Sequence, residues 1–323
     1  MTGIICGVDI ASASLEARIG RDGAAASFPN TAEGIAALAA FCHAHEVELV
    51  AMEATGGYEQ QAFAQLSQQG LPVAILNPRA VRQFAQSMGR LEKTDRIDAG
   101  MIAWYAEVKQ SRPLALAPRS QQHLRALVTR LRQLTDIRTA QLNQQRLITD
   151  RTVQRSFTQL LALVARQIRD LEQRIAQLIE QDPLWRELNQ TFRTIKGVAD
   201  RTVARLMAEM PEIGALPNKT ISKLAGVAPL AHDSGKYRGK RAVRGGRAAV
   251  REILFIVASV VGRYEPDFMA FQQRLRAAGK PPKVVRIALA HKLLVRLNAK
   301  ARDVRHRLAI PEQQNAAALA VRG

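Results

Sequence analysis

The sequence predicts a mixed α/β domain followed by a long region that is almost entirely helical. Short apolar runs bounded by turn residues alternate with helical patterns only within the first hundred or so residues. Residues 119–180 contain neither glycine nor proline, and their apolar residues recur at helical spacing. The charge divides in the same way. Residues 1–110 carry eight Lys/Arg and twelve Asp/Glu, whereas the rest of the chain carries 39 and 16.

The N-terminal elements are predicted in the order β-β-β-α-β-α-β-α. Arg21-Asp22-Gly23 is a hairpin signal between the second and third strands, and Thr31 is a good helix N-cap. Three antiparallel strands followed by alternating helices and strands is the order of a ribonuclease-H-like fold, whose first strand is central. The predicted strands cover residues 3–9, 14–20, 24–28, 47–53 and 73–76.

Four carboxylates stand out against this order. Asp9 and Glu53 end the first and fourth strands, and Asp95 and Asp98 are spaced to share one face of the next helix. Mg²⁺ prefers carboxylate and water oxygens, and a pair of metal ions in such a cluster supports phosphodiester chemistry. Each acid taken alone is also compatible with a capping or solvated turn residue. Together they predict a metal site.

The region 119–180 is predicted to form two long helices with a break near residues 150–155. Two arrangements fit this pattern: a helical hairpin within one chain, or a coiled coil with a second subunit. A shorter apolar series, Leu124 to Leu134, belongs to the first helix. The second helix carries an uninterrupted heptad seam: Phe157, Leu161, Val164, Ile168, Leu171, Ile175 and Leu178.

Two further segments are candidates for nucleic-acid binding. Lys196-Gly197 forms an apolar-Lys-Gly-apolar turn that looks like a helix-hairpin-helix, a motif whose backbone amides bind phosphate. Ser234 begins a basic loop, with seven Lys/Arg in the next seventeen residues. The serine hydroxyl either hydrogen-bonds a phosphate or its own turn, or acts as a nucleophile on phosphorus. The predicted phosphate-binding cations of this loop are Lys236, Arg238, Lys240, Arg241, Arg244 and Arg247.

Composition and net charge limit the chemical class of the partner and the cellular compartment. A net charge of +19 predicts a polyanionic partner, most simply nucleic acid. The two cysteines, Cys6 and Cys42, lie in apolar surroundings and fit a reducing compartment. The N-terminus lacks the features of a signal peptide, and no stretch is long and apolar enough for a membrane span. We therefore expect a cytoplasmic protein without a membrane partner.

Taken in order, these segments resemble the transposases of the insertion-sequence-110 family over roughly residues 3–300. Each segment alone is weak evidence for the family, but the ordered set, with a long helical region between its two halves, is specific to it. The Arg-Gly-Gly-Arg segment at 244–247 is similar to the 1111 subgroup. The segments are Gly7-Val8-Asp9, Met52-Glu53-Ala54-Thr55-Gly56, Asn77-Pro78, Lys93-Thr94-Asp95-Arg96-Ile97-Asp98-Ala99, Gly226-Val227-Ala228-Pro229 and Asp233-Ser234-Gly235.

The resemblance implies a RuvC-like domain, a coiled-coil insertion and a C-terminal transposase domain. It implies an Asp-Glu-Asp-Asp tetrad at Asp9, Glu53, Asp95 and Asp98 that binds Mg²⁺ or Mn²⁺, and a nucleophile at Ser234 that forms a phosphoserine link. The implied partners are donor and target double-stranded DNA, a structured bridge RNA, and further copies of the chain as a dimer or tetramer. The corresponding domains are residues 1–112, 113–185 and 186–305, followed by a tail, 306–323, that lacks a strong pattern and is a candidate for disorder. The implied localisation is the bacterial cytoplasm, in association with the nucleoid.

Three other functions are compatible with part of this pattern. A hydrolytic RuvC-like nuclease of the junction-resolvase type would cut with the tetrad and use Ser234 only to bind phosphate. An actin-like nucleotide binder would use Gly7-Val8-Asp9 as a phosphate loop, but it leaves the basic half of the chain unexplained. A non-enzymatic nucleic-acid binder leaves the four acids without a role.

Overall fold

The chain forms two compact units, Met1–Ala117 and Pro118–Gly323, in a computed structural model. The structure describes residues 3–89, 95–231, 233–234, 237–239 and 241–320. Side chains within this part are described except at 95–98, 237–238 and 310–320. No helix in the described part is long and apolar enough to cross a membrane.

The first unit contains a five-stranded mixed sheet with β1 at its centre. The strand order is β3-β2-β1-β4-β5, with antiparallel pairing among β1, β2 and β3 and parallel pairing of β4 with both β1 and β5. The predicted order of elements and the central position of the first strand are therefore confirmed. The strands are β1 (Ile5–Ile10), β2 (Ser14–Ile19), β3 (Ala25–Pro29), β4 (Leu49–Glu53) and β5 (Val73–Leu76).

Helices cover both faces of this sheet. Residues of α1 and α2 share a buried cluster with Cys6, Val8 and Met52, whereas residues of α3 and α4 share one with Leu49 and Ala51. Alternate residues of β1 and β4 therefore face opposite helix layers, as the period of a strand requires. The helices are α1 (Ala32–Ala44), α2 (Glu59–Gln68), α3 (Pro78–Ser87) and α4 (Asp95–Val108).

Local capping explains where two of these helices begin. The Thr31 hydroxyl accepts a hydrogen bond from the Gly34 amide at 3.3 Å, which confirms the predicted N-cap of α1. The Asn77 side chain likewise accepts from the Arg79 amide at 2.9 Å, and Pro78 occupies the first turn of α3. Cys6 and Cys42 are free and fully buried, as core cysteines were expected to be.

The second unit is built from eight helices among its described residues, with short strands between α9 and α10. The long helices α5 and α6 pack on each other within the chain, and their break lies at residues 146–150. The helices are α5 (Arg119–Gln145), α6 (Arg151–Gln181), α7 (Pro183–Arg193), α8 (Asp200–Glu209), α9 (Asn218–Leu224), α10 (Ala248–Tyr264), α11 (Pro266–Ala277) and α12 (Pro282–Ala320).

The predicted seam of α6 packs inward. Val164, Ile168 and Ile175 are buried in the same cluster as Leu124 and Leu131 of α5. Contacts within one chain therefore bury the apolar seam over this half of the helix pair. The outer half differs, because no described residue between 135 and 163 is buried.

The last helix extends beyond the predicted one. α12 continues to Ala320, whereas the sequence predicted a tail without pattern after about residue 305. Ala301 and Val304 are buried in the core of the unit, and Leu308 packs against it. Arg305 also donates hydrogen bonds to the carbonyl oxygens of Ile213 and Pro211, both at 2.8 Å. These contacts extend the helix past residue 305.

Candidate active site

The acids Asp9 and Glu53 lie at the same end of neighbouring parallel strands: Glu53 is the last residue of β4, and Asp9 is the penultimate residue of β1. Val8 of β1 pairs with Met52 of β4, so the next residue in each strand is one of the two acids. Val8 and Met52 face the α1/α2 layer. Because side chains alternate along a strand, both acids lie on the opposite face, which α3 and α4 cover. Each acid is partly buried.

Helix α4 approaches this face closely because β1 has a glycine there. A Cβ atom at Gly7 would lie 2.6 Å from the amide nitrogen of Ala103 and closer still to the carbonyl oxygen of Ala99. The backbone of α4 therefore rests directly on β1, two residues before Asp9. Helix α4 begins at Asp95, so its first turn directly precedes the residues that contact β1.

The structure places Asp9 and Glu53 on the sheet face that α4 covers, and Asp95 and Asp98 belong to the first turn of α4. The side chains of Asp95 and Asp98 lie outside the described residues, and with them the decisive ligands of the predicted metal site. Among the described side chains, no group of three His, Cys, Asp or Glu residues is arranged to hold a metal. Two carboxylates on adjacent strand ends are the hard oxygen donors that Mg²⁺ or Mn²⁺ accepts. The metal site remains a prediction.

Sequence reasoning missed a third carboxylate near β4. Glu59 is 5% exposed, and its Oε2 accepts hydrogen bonds from the Gly57 amide at 2.8 Å and from the Thr55 amide and hydroxyl at 3.1 Å. Burial alone would raise its pKa, but these bonds and one from the Gln60 side chain outweigh burial and lower the pKa. Glu59 thus fixes the loop that follows Glu53. The Thr-Gly-Gly sequence before it was the available signal.

Ser234 lies at the end of a small β-hairpin in the second unit. Strand β7 (Asp233–Ser234) pairs with β8 (Tyr237–Arg238), with Ser234 opposite Tyr237. Below it, β6 (Pro229–Leu230) pairs with β9 (Ala242–Val243). Asp233 and Ser234 are exposed. The hairpin therefore presents the serine hydroxyl on the surface of its unit.

The base of this hairpin segment is fixed by glycines and an ion pair. Gly226 and Gly246 approach so closely that a Cβ on either would meet the backbone of the other segment. Arg247 donates to the Glu212 carboxylate at 2.5 and 2.6 Å and to the Glu209 carbonyl oxygen at 2.8 Å. Burial would raise the pKa of Glu212, but its bonds to Arg247 lower it.

The predicted phosphate-binding cations therefore differ in their surroundings. The Arg247 guanidinium is bound within the chain, whereas Arg241 and Arg244 are exposed. Lys236 and Lys240 lie outside the described residues, as does the side chain of Arg238. Phosphate binding by this set stays a prediction.

The Lys196-Gly197 turn joins α7 to α8, with Gly197 at a φ of +98°. The Lys196 amide, a group that the sequence predicted to bind phosphate, donates to Glu265 Oε1 at 2.7 Å. A Cβ at Gly197 would lie 2.9 Å from Cγ1 of Val260. The turn therefore packs against the end of α10, and the Glu265 carboxylate already accepts the hydrogen bond of the Lys196 amide. The helix-hairpin-helix assignment stays a prediction.

A mixed sheet of this order, with acidic strand ends and a basic helical unit in the same chain, is compatible with RuvC-like domains of DNA-processing enzymes. Comparisons with known proteins narrow this class. Residues 6–153 match an IS110-type DEDD model described as "Transposase", and residues 189–273 match a model described as "Transposase IS116/IS110/IS902 family". The chain belongs to the IS110 family of transposases.

Relatives agree with this assignment. The chain is 29% identical over 287 residues to pilin gene-inverting proteins of Moraxella lacunata and Moraxella bovis, which covers 83% of this chain and 85% of each relative. It is also 29% identical over 234 residues to an uncharacterized 43.6 kDa protein of insertion element IS110 from Streptomyces coelicolor. That alignment covers 68% of this chain and 56% of the relative. The chain is thus a transposase-family enzyme that acts on DNA.

Proposed function

We propose that the protein cuts and rejoins donor and target DNA through a phosphoserine intermediate at Ser234, with the acids Asp9, Glu53, Asp95 and Asp98 holding Mg²⁺ or Mn²⁺. The observation that supports the metal-binding part of this proposal is the shared face of Asp9 and Glu53, which α4 covers in close contact with Gly7. The exposed position of Ser234 on a hairpin with a fixed base supports the serine half.

The serine step conserves the number of phosphodiester-type bonds. The Ser234 oxygen bonds to phosphorus while one bond from phosphorus to a sugar oxygen breaks, and the hydroxyl proton passes to that leaving oxygen. A sugar hydroxyl from another strand then attacks the phosphoserine, which rejoins DNA and restores the serine. Because the bond energy stays in the phosphoserine, the exchange needs no ATP.

The chain's own residues have separable roles in this scheme. Exposed arginines of the serine loop, Arg241 and Arg244, are available to stabilise extra negative charge on phosphorus. In this proposal Asp9 and Glu53 supply carboxylate oxygens from the sheet, and Asp95 and Asp98 supply theirs from the first turn of α4. A divalent cation, when bound, would polarise phosphate oxygens and lower the pKa of a bound hydroxyl or water.

One observation favours rejoining over simple hydrolysis. The Moraxella relatives are named for inverting a pilin gene, and inversion requires cut ends to be joined again. Guidance by a bridge RNA rests on the family resemblance alone.

The proposal includes assembly into a dimer or tetramer, because two strands must be exchanged. The outer half of the α5–α6 pair supports this part. Its apolar side chains are exposed, in contrast to the buried inner seam at Ile168. The exposed apolar residues are Ile137, Leu142, Leu147, Val153, Leu160 and Leu163.

The decisive experiment looks for a covalent protein–DNA adduct on a denaturing gel. The protein is expressed with its native flanking DNA, so that any guide RNA is present. Wild type is compared with Ser234→Ala and with the control Ser156→Ala, which removes an exposed hydroxyl from α6.

We expect an adduct in wild type and in the control and none in Ser234→Ala. Cut DNA without an adduct in all three lanes would instead establish the hydrolytic nuclease. Loss of the adduct in the control as well would remove the assignment to Ser234.

A further inference from the structure

Helix α6 carries a line of arginines on the face opposite its buried seam. Successive residues of a helix are turned by about 100°, so these arginines fall within about 60° of one another around the helix axis. The seam through Ile168 and Ile175 lies on roughly the opposite side. We call these residues the arginine stripe: Arg151, Arg155, Arg166 and Arg169.

The stripe is exposed and its charges are not neutralised within the chain. All four side chains are exposed, and no ion pair or side-chain hydrogen bond joins any of them to another residue of the described part. Asp170 is four residues after Arg166, yet no ion pair forms between them among the described contacts. Glu172 instead pairs with Arg201.

Several cations of α12 are bound within the second unit. Lys292 donates to the Asp267 carbonyl oxygen at 2.8 Å, and Arg296 pairs with the Asp267 carboxylate at 2.7 Å. Lys300 donates to the Thr194 hydroxyl at 3.2 Å. The helix α12, basic in sequence, therefore uses much of its charge for its own packing. The arginine stripe is a better candidate for an external anion.

The helix pair that carries the stripe is anchored to the core of the second unit. At the base of α5, the buried Gln121 side chain donates to the carbonyl oxygens of Met207 and Ala208 at 2.9 and 3.2 Å. The α6 seam packs into the same core. Arginine is suited to this position because its guanidinium stays charged and matches phosphate geometry.

We propose that the arginine stripe binds the phosphate backbone of duplex DNA. Eighteen residues at 1.5 Å each give the stripe a length of about 27 Å, which matches about eight base pairs. DNA is chosen over RNA because the family acts on DNA. Three of the four arginines also lie between the two family-model matches, at residues 154–188, so neither match assigns them.

The test is equilibrium binding, which depends on neither Ser234 nor a metal. The full-length protein is titrated into a fluorescein-labelled linear DNA duplex longer than the stripe, in EDTA and at several salt concentrations, with anisotropy as the readout. The stripe variant changes all four arginines to Ala. A matched control removes the same charge from exposed arginines that point in different directions around α5: Arg119, Arg125, Arg138 and Arg146.

We expect the stripe variant to bind more weakly by tenfold or more, and its log K against log salt slope to be shallower by up to about 3.6. The control variant should retain most of the wild-type slope. Equal losses in both variants would overturn the proposal, because then only net charge would matter.

Two further outcomes are informative. Wild-type DNA binding by the stripe variant, with loss of binding to a matched RNA duplex, would overturn the choice of DNA.

Because alanine favours helix, the stripe variant should keep its helical circular dichroism. A four-glutamine stripe variant is measured in parallel, and a wild-type slope in that folded variant also refutes the proposal. Failure of the serine adduct experiment would leave these results unchanged.

Discussion

A methyl group added at Gly7 tests the close contact between β1 and α4. In Gly7→Ala the new Cβ would start 2.6 Å from the Ala103 amide nitrogen, with the Ala99 carbonyl oxygen nearer still. Both atoms belong to helix backbone, so neither can rotate away. Ordinary contact at 3.4 Å requires α4 to shift by about 0.8 Å or more.

This shift should damage activity more than stability. Overpacking of a core site costs about 1–3 kcal/mol. A displacement near 1 Å in a catalytic group lowers rates by about a hundredfold. Because α4 begins at Asp95, its movement displaces the first turn that the proposed site needs. We therefore expect recombination to fall by about two orders of magnitude at a temperature where the variant is still folded.

The assay combines recombination of the native element in cells with thermal unfolding of the purified protein. Gly262→Ala is the control, because its Cβ would meet nothing nearer than Leu289 Cδ1 at 3.2 Å, the movable end of a side chain. The control should keep wild-type activity. Wild-type recombination and an unchanged Tm in Gly7→Ala would refute the inferred contact.

Three further predictions follow from the two units. Asp9→Asn and Glu53→Gln should each abolish recombination with unchanged circular dichroism, and a fully active variant would remove that acid from the site. Because hydrogen bonds hold the pKa of Glu59 below its usual 4.5, its stabilisation is complete above that pH and declines as pH falls through the lowered pKa. Glu59→Gln should lack this decline when Tm is compared from neutral to acidic pH, and identical curves would contradict the assignment. Arg247→Ala should lower the free energy of unfolding by roughly 1–2 kcal/mol, between values for exposed and buried pairs. A double-mutant cycle with Glu212→Gln in denaturant measures that coupling, and zero coupling would argue against the pair.

The element order of the first unit was predictable because its signals are local. Strand β5 and the capped start of α1 agree with the sequence prediction, since each depends on neighbouring residues. The placement of Glu53 at the end of β4, and of Asp9 one residue before the end of β1, was predictable for the same reason. Their common face was not, because it depends on the register between β1 and β4 and on which helix layer covers each face.

The partners of the charged residues were likewise not predictable from the sequence. Sequence composition treated Arg247 as a phosphate ligand, whereas the fold brings it to Glu212, thirty-five residues away in the chain. Lys292 and Arg296 of α12 likewise contact Asp267, which a count of charges does not show. A charge can be counted from composition, but its partner is selected by packing.

The amino-acid sequence by itself determined the sheet-and-helix order, the strand-end acids, the seam of α6 and the family. These follow from periods of two and 3.6 residues, from turn chemistry and from ordered motifs, all of which act over short stretches of chain. Only the tertiary structure decided that α4 packs directly on β1 at Gly7, two residues before Asp9. It also decided that Glu59 hydrogen-bonds the loop after Glu53. The arginine stripe stays exposed, whereas Arg247 is paired with Glu212. Those outcomes depend on contacts between residues distant in sequence, where close packing and the cost of burying an unpaired charge choose the partners.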